Sequence, residues 1–90
     1  MTSFTKDPDA VLDYVIDWTT WIGVDTIIAS SWSATTGIVI DTAECSFTTL
    51  TTTVWLSGGT AGETYIVTNH ITSAAGREDD RSIKIKVREK

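Results

Sequence analysis

The chain has 90 residues and a formal net charge of −5, with four tryptophans, one proline, one histidine and one cysteine. This length fits a single domain covering residues 1–90, which can bury only a modest core. The lone Cys45 excludes an internal disulfide and is compatible with a reducing compartment. No stretch is apolar enough to span a bilayer and the N-terminus lacks the pattern of a secretory signal, so we expect no membrane partner.

Charge is distributed unevenly along the chain. Residues 7–76 contain acidic side chains but no lysine or arginine, and the basic residues begin again at Arg77. The simplest interpretation is a set of solvated faces that keep the domain soluble, and the alternative is an acidic surface that docks on a basic partner. The basic residues near the C-terminus form a short stripe without interleaved aromatic residues, so we expect no nucleic-acid partner.

The first quarter of the chain predicts two strands and a connection. Residues 1–9 form an N-terminal arm or edge strand, with Phe4 and Thr5 in the strand and the turn residues 7–9 closing it. Residues 10–18 alternate between apolar and polar side chains, as a half-buried strand does. Residues 19–25 read as a connection. The predicted inward face of the second strand consists of Leu12, Tyr14, Ile16 and Trp18.

The middle of the chain predicts further short strands. Residues 26–34 form a strand with Ile28, Ser30, Trp32 and Ala34 on one face, and residues 38–40 form a short strand after a glycine-containing turn. Residues 41–46 are polar and predict a loop. Residues 47–57 are rich in threonine, a β-branched residue that favours a pleated surface, and predict one strand. Residues 57–62 contain the strongest breaker in the chain.

Residues 63–87 predict a hairpin around which the rest of the chain is organised. Its first strand places Tyr65, Val67, Asn69 and Ile71 on one face, residues 73–76 form the turn, and Ile83, Ile85 and Val87 share a face of the second strand. A hairpin with one apolar face needs another layer to cover it. No segment has a sustained helical period, so we expect no helix longer than a turn or two.

These elements predict an all-β fold, an immunoglobulin-like β-sandwich of about seven antiparallel strands. Tyr65 stands at the start of the penultimate strand, where such sandwiches use a tyrosine corner; the alternative for Tyr65 is an ordinary core aromatic. The predicted core consists of Leu12, Tyr14, Ile16, Trp18, Trp32, Val54, Leu56, Tyr65, Val67, Ile71, Ile83, Ile85 and Val87.

No set of residues in the sequence predicts a catalytic or metal-binding site. His70 is the only histidine and falls on the predicted outward strand face, while Cys45 has no cationic neighbour in sequence to activate it. A nucleophile needs a base beside it and a metal needs several ligands, and neither pattern is present. We therefore expect no enzyme activity, no catalytic residues, no metal site and no cofactor.

Two tryptophans are candidates for a contact surface. Trp21 lies in a predicted connection, and Trp55 lies between two apolar residues of which only one face can point inward. Exposed aromatics on small domains mark interfaces, although both side chains can also simply cap the ends of the core. The basic last strand adds Lys84, Lys86 and Arg88. The candidate interface residues are therefore Trp21, Trp55, Lys84, Lys86 and Arg88.

The chain resembles a family of small tailed-phage proteins, the phage fiber-tail adaptor proteins, over nearly its full length. The specific stretches are KDPDA at residues 6–10 and WLSGGTAGETY at residues 55–65. The same resemblance extends over residues 4–14, 17–18, 21, 30–32, 54–65, 75–77 and 80–83. The final strand alone is similar to many immunoglobulin-like and polycystic-kidney-disease-like repeats.

This resemblance implies a structural protein of a phage virion that joins the tail and the fiber or other virion parts. Its expected partners are other virion proteins and copies of itself, and its expected location is a virion assembled in the cytoplasm of the bacterial host. Two alternatives remain: a capsid decoration or head–tail junction protein, and a host-surface or glycan-binding module. The glycan-binding alternative depends on stacking of sugar rings against Trp21 and Trp55.

Overall fold

The computed structural model describes residues 2–88, which form eight strands, one α-helical turn and one 3-10 turn. The helical turn α1 covers Thr19–Ile22 and the 3-10 turn covers Thr42–Glu44. The strands are β1 (Thr2–Lys6), β2 (Leu12–Asp17), β3 (Ile27–Ala34), β4 (Ile38–Ile40), β5 (Ser46–Phe47), β6 (Thr51–Gly58), β7 (Thr64–Ser73) and β8 (Glu78–Val87). The predicted all-β architecture and the absence of long helices in this part of the chain agree with the sequence pattern.

The strands make two sheets that pack face to face. Sheet A has the order β1-β8-β7-β3, and sheet B has the order β2-β6-β4, with β5 also pairing with β6. The pairs are antiparallel except β1 with β8, which is parallel. This exception to the expected antiparallel arrangement arises because β1 belongs to sheet A whereas β2 belongs to sheet B, so no hairpin fixes the direction of β1.

The core lies between the sheets and follows the alternation of the strands. In β6 and β7 every second side chain is buried, as the sequence predicts. The buried apolar residues are Tyr14, Ile16, Trp18, Ile22, Ile27, Ile38, Val54, Leu56, Tyr65, Val67, Ile71, Ile83, Ile85 and Val87. Burial of each large side chain stabilises the fold by about 1.5–3 kcal/mol before conformational entropy is subtracted. Most of the predicted core is therefore confirmed.

Two residues of the predicted core are more exposed than expected. Leu12 is 37% exposed because it is the first residue of β2, an edge strand that has a neighbour on one side only. Trp32 is partly buried and packs against the core from the edge strand β3. Here the two sheets diverge and leave a cleft beside the indole. Alternation gives the direction of a side chain but not how far the facing sheet extends.

A β-bulge in β3 corrects the predicted face of that strand. Ile28 was expected inside but is 58% exposed, whereas Ile27 is buried. The pairing with β7 shifts between Ile27 and Ala29, so Ile28 is an extra residue with no partner of its own. Side chains after the bulge, from Ser30 onward, return to the predicted face. A bulge depends on the partner strand, which alternation within β3 cannot reveal.

The predicted strand over residues 47–57 is two strands separated by a tight turn. The Thr48 hydroxyl accepts hydrogen bonds from the amides of Leu50 and Thr51 at 3.3 and 3.0 Å, and the Thr48 amide donates to the Thr51 carbonyl at 2.8 Å. Threonine side chains that accept hydrogen bonds from nearby backbone amides favour turns over the pairing of β-strands. The predicted loop over residues 41–46 contains the 3-10 turn, and its last residue, Ser46, begins β5.

A buried polar network crosses the core between the sheets. The Asn69 side-chain oxygen accepts hydrogen bonds from the Trp18 indole at 3.1 Å and from the Thr52 hydroxyl at 2.7 Å. The Asn69 amide group donates to the Ser30 hydroxyl at 2.9 Å and to the Ser31 carbonyl at 3.0 Å. Because all of these buried groups have partners, the network avoids the cost of unsatisfied polar atoms and links sheet B to sheet A.

Tyr65 forms the expected tyrosine corner. Its ring is buried, and its hydroxyl accepts a hydrogen bond of 2.9 Å from the backbone amide of Thr60. Two glycines with positive φ flank the ring: a Cβ at Gly37 would lie 2.8 Å from Tyr65 Cε1, and a Cβ at Gly59 would lie 3.4 Å from Cε2 and 2.8 Å from Val87. Gly37 and Gly59 therefore have a packing role as well as a conformational one.

Candidate functional site

Trp55 lies on the outer face of sheet B. It alternates along β6 with the fully buried Val54 and Leu56, so its indole points away from the core. Its side chain is half-buried, and β6 is the central strand of the sheet, between β2 and β4. An aromatic ring in the middle of an outward sheet face offers a large flat apolar area to another molecule.

The neighbours of Trp55 give this surface a mixed apolar and acidic character. Asp13 pairs directly with Trp55 across the sheet, and the Asp41 amide donates a 2.9 Å hydrogen bond to the Trp55 carbonyl from the opposite side. Val15 and Val39 lie diagonally and are 53% and 52% exposed. We refer to Asp13, Val15, Val39, Asp41 and Trp55 as the Trp55 face. The two carboxylates put negative charge on the same sheet face as the indole, which favours a cation as the ligand.

The basic side chains of the last strand occupy the opposite side of the sandwich. Lys84 and Lys86 alternate along β8 with the buried Ile83, Ile85 and Val87, so they point away from the core on the outer face of sheet A. Arg88 follows β8 and is exposed. We refer to Lys84, Lys86 and Arg88 as the basic strip. Lys84 and Lys86 lie two residues apart on this face, and Arg88 follows the end of the strand.

Trp21 is held by contacts within the domain. It is the third residue of α1, it meets Trp18 edge-on with ring centroids 5.5 Å apart, and it packs against the core. The Arg77 guanidinium lies 4.7 Å from the centre of the Trp21 ring. Arg77 also donates to the Ile22 carbonyl at 2.8 Å and pairs with Asp25 at 3.3 Å. Trp21 and Trp55 therefore lie on different parts of the surface and do not form a shared platform.

A second arginine covers Trp18 in the same way. The Arg81 guanidinium lies 4.4 Å from the centre of the Trp18 ring and donates a 2.9 Å hydrogen bond to the Asp17 carbonyl. The Asp17 carboxylate in turn accepts hydrogen bonds from the amide and hydroxyl of Thr19, which lower its pKa. These contacts attach the start of α1 to β8, and sequence spacing gave no sign of them because the partners are far apart in the chain.

His70 lies on the outer face of sheet A between two carboxylates. Its Nδ1 is 2.5 Å from Asp80 and its Nε2 is 2.9 Å from Glu78. Hydrogen bonds to Glu78 and then to Asp80 raise the pKa of His70. Both ring nitrogens are therefore engaged in contacts between β7 and β8, and the predicted surface position of His70 is confirmed.

A cleft of 320 Å³ opens between the free edges of the two sheets. Trp32 of β3 and Phe47 of β5 supply its apolar surface, and the remaining lining residues are Ser30, Ser31, Thr42, Cys45 and Ser46. The Cys45 thiol is partly buried and lies 3.5 Å from the Asp41 carbonyl. The cleft contains no ionisable acid or base other than this thiol, so its walls offer shape and hydroxyl groups but no acid–base pair.

Among residues 2–88, no three histidine, cysteine or acidic side chains are grouped so that they could hold a metal ion. No helix in the described part of the chain has the length and apolarity needed to cross a bilayer.

Comparison with known protein families relates the chain to a family of phage proteins. A family model described as the podophage GP4 fiber-tail adaptor protein gp77 matches residues 6–86. The chain belongs to this family. The expected resemblance is thereby confirmed, and the family is one of structural phage tail adaptors, which are components of the virion.

Comparison with solved structures supports the fold independently. The solution structure of the PKD domain from the KIAA 1837 protein matches with a TM-score of 0.61 and 21% identity, covering 99% of this chain and 80% of that one. At this identity the likeness concerns the fold alone, and it confirms the predicted immunoglobulin-like β-sandwich. No curated protein matches the chain.

Proposed function

We propose that this protein is a non-enzymatic docking module that joins tail and fiber components of a phage virion, is present in several copies and binds a neighbouring virion protein through the Trp55 face. The observation that carries the proposal is the position of Trp55 at the centre of an outward sheet face. Membership of the fiber-tail adaptor family supports a place among the tail and fiber components of the virion. The Trp55 face and the basic strip are the two surfaces that such an adaptor would use.

The composition of the Trp55 face supports a contact with another protein. Protein interfaces concentrate their binding energy in a few central aromatic or arginine side chains, surrounded by polar groups that exclude water. On this face the half-buried Trp55 is central, Val15 and Val39 extend the apolar area, and Asp13 and Asp41 supply charge. Within the domain, Trp21 lacks this arrangement because Arg77 already occupies its ring.

The proposed place of assembly also explains why a single unpaired cysteine is tolerated. We infer assembly in the cytoplasm of the bacterial host, a reducing compartment in which the partly buried Cys45 remains a thiol. The family description favours a place at the tail over capsid decoration or a head–tail junction. The glycan-binding alternative relied on a joint platform of Trp21 and Trp55, and the separation of the two side chains weighs against it.

Replacing Trp55 by alanine tests this proposal. Because Trp55 is half-buried on the outward face, Trp55→Ala should lower the free energy of unfolding by about 1–2 kcal/mol and leave the domain folded. The same change removes the aromatic centre of the contact, so the copy number of the protein in purified phage particles should fall severalfold. Copy number is measured by quantitative mass spectrometry of particles, and folding by thermal melting of the purified variant.

Val24→Ala serves as the matched control, since Val24 is fully exposed after α1 and lies away from the Trp55 face. It should leave both melting and incorporation unchanged. A normal copy number for Trp55→Ala would remove the Trp55 face from the contact. Absence of the wild-type protein from particles would overturn the virion role itself.

A further inference from the structure

The basic strip and the two carboxylates of the Trp55 face lie on opposite outer faces of the sandwich. Among residues 2–88, the ion pairs are those of His70 with Glu78 and Asp80, and of Arg77 with Asp25. The basic strip takes part in none of them, and neither do Asp13 and Asp41 of the Trp55 face. Because the basic strip lies on sheet A and the Trp55 face on sheet B, the core separates them and they cannot meet within one molecule.

Contacts between an arginine and a tryptophan ring are already present elsewhere in the domain. Two of its arginines, Arg77 and Arg81, each lie over a tryptophan, at 4.7 Å from Trp21 and 4.4 Å from Trp18. In the same part of the chain no cation lies over Trp55, although Asp13 is its cross-strand neighbour and the Asp41 carboxylate accepts a hydrogen bond from Ser57, two residues along β6. A lysine or arginine placed there would gain the attraction of the ring and of Asp13 and Asp41 together.

The basic strip has the chemistry to supply that cation. Lys86 and Arg88 are exposed and Lys84 is partly exposed, so their charged ends are accessible, and their aliphatic stems can cover apolar surface. The side chains of Val15 and Val39 provide such surface beside Trp55. Complementary potentials on two faces also speed and orient the encounter of two molecules.

We propose that the Trp55 face of one copy binds the basic strip of a second copy, so that the protein associates head to tail. The inference rests on the proposed role of the Trp55 face and names its partner. The contact is heterologous, because different surfaces of the same chain meet. Heterologous contacts either close into rings or extend into open chains.

Charge reversal in the purified full-length protein tests this inference. Sedimentation velocity over a range of protein concentrations should show association of the wild type, weaker at high ionic strength because salt screens the charges. Asp13→Lys and Lys86→Glu each place like charges opposite one another, so each should weaken association by about tenfold or more. Both residues are exposed, and circular dichroism and melting should confirm that the variants fold.

The double variant Asp13→Lys with Lys86→Glu is the decisive sample. It has the same net charge as the wild type, and it restores an opposite-charge pair with the signs exchanged. Association should therefore return to within a fewfold of the wild type. Val24→Lys is the control for added positive charge, because Val24 is fully exposed in the loop between α1 and β3. It should associate as the wild type does.

Three results would overturn the inference: a wild type that is monomeric at all concentrations, association that neither reversal weakens, or a double variant that does not recover. These outcomes are distinct from failure of the docking role. If the wild type is monomeric but Trp55→Ala still disappears from particles, the Trp55 face binds a different virion protein. If association occurs but Trp55→Ala enters particles normally, the docking role of that face is wrong.

Discussion

Two buried tyrosines differ in what their hydroxyl groups contribute. The Tyr65 hydroxyl accepts a hydrogen bond from the Thr60 amide at 2.9 Å and fixes the turn between β6 and β7. The Tyr14 hydroxyl is buried without a hydrogen-bond partner among residues 2–88, and burial raises its pKa. The ring of Tyr14 instead packs against Phe4, with centroids 4.8 Å apart. A hydrogen-bonded hydroxyl stabilises a fold, whereas an unsatisfied one costs free energy.

Removing each hydroxyl should therefore have opposite consequences. Tyr65→Phe should lower the free energy of unfolding by about 0.5–1.5 kcal/mol, the usual contribution of one hydrogen bond. Tyr14→Phe should leave stability unchanged or raise it, because the apolar ring is kept and an unpaired polar atom is removed. Urea unfolding of the two matched variants measures both effects. A greater loss for Tyr14→Phe than for Tyr65→Phe would contradict this account.

Burial of single residues could be predicted where alternation decides it, and not where a distant partner does. Trp18 was expected in the core from its place on the strand face, and it is fully buried. Its hydrogen bond to Asn69, 51 positions away, could not be read from the chain. Lys6 was equally unexpected: it is buried, burial lowers its pKa, and its ammonium donates to the Asp7 and Gly58 carbonyls at 2.9 and 2.8 Å.

At the scale of elements, His70 links the two longest strands on the outer face of sheet A. Its pKa is raised above the ordinary value of 6.5 by Glu78 and Asp80, so the protonated form is favoured in the folded protein. A raised folded pKa contributes stability that is fully present below the unfolded value and is lost as pH rises through the folded value. The link between β7 and β8 should therefore weaken above about pH 6.5.

A pH series on His70→Gln checks this link. The Tm of the wild type should fall more than the Tm of His70→Gln when pH is raised from about 6 to about 9, because glutamine has no proton to lose in that range. Since all three side chains are substantially exposed, the difference in Tm should be small and should shrink in high salt. Parallel pH profiles for the two proteins would show that the carboxylates do not act on His70.

The elements themselves could be predicted where local pattern is strong. The hairpin of β7 and β8, with its glycine turn, follows from alternation and turn chemistry alone. The bulge at Ile28 and the turn at Thr48 could not be predicted, because one depends on pairing with β7 and the other on hydrogen bonds that threonine makes locally. The parallel pairing of β1 with β8 also depends on which sheet each strand joins.

At the scale of the whole molecule, the sandwich presents two outer faces of different character. Sheet B carries the aromatic and acidic Trp55 face, and sheet A carries the basic strip. Sequence alternation could show that Trp55 and Lys84 point outward, but the partners of Trp55 across the sheet, Asp13 and Asp41, emerge only from strand order. Under the proposed function, these two faces are the docking surfaces of the domain.

A reconstruction of the virion by electron cryo-microscopy tests the central claim most directly. We predict density for this domain at the junction of tail and fiber, in several copies, with Trp55 of each copy buried against a neighbouring chain. A Trp55 face open to solvent in every copy would contradict the docking surface. A particle that lacks the domain altogether would contradict the adaptor role.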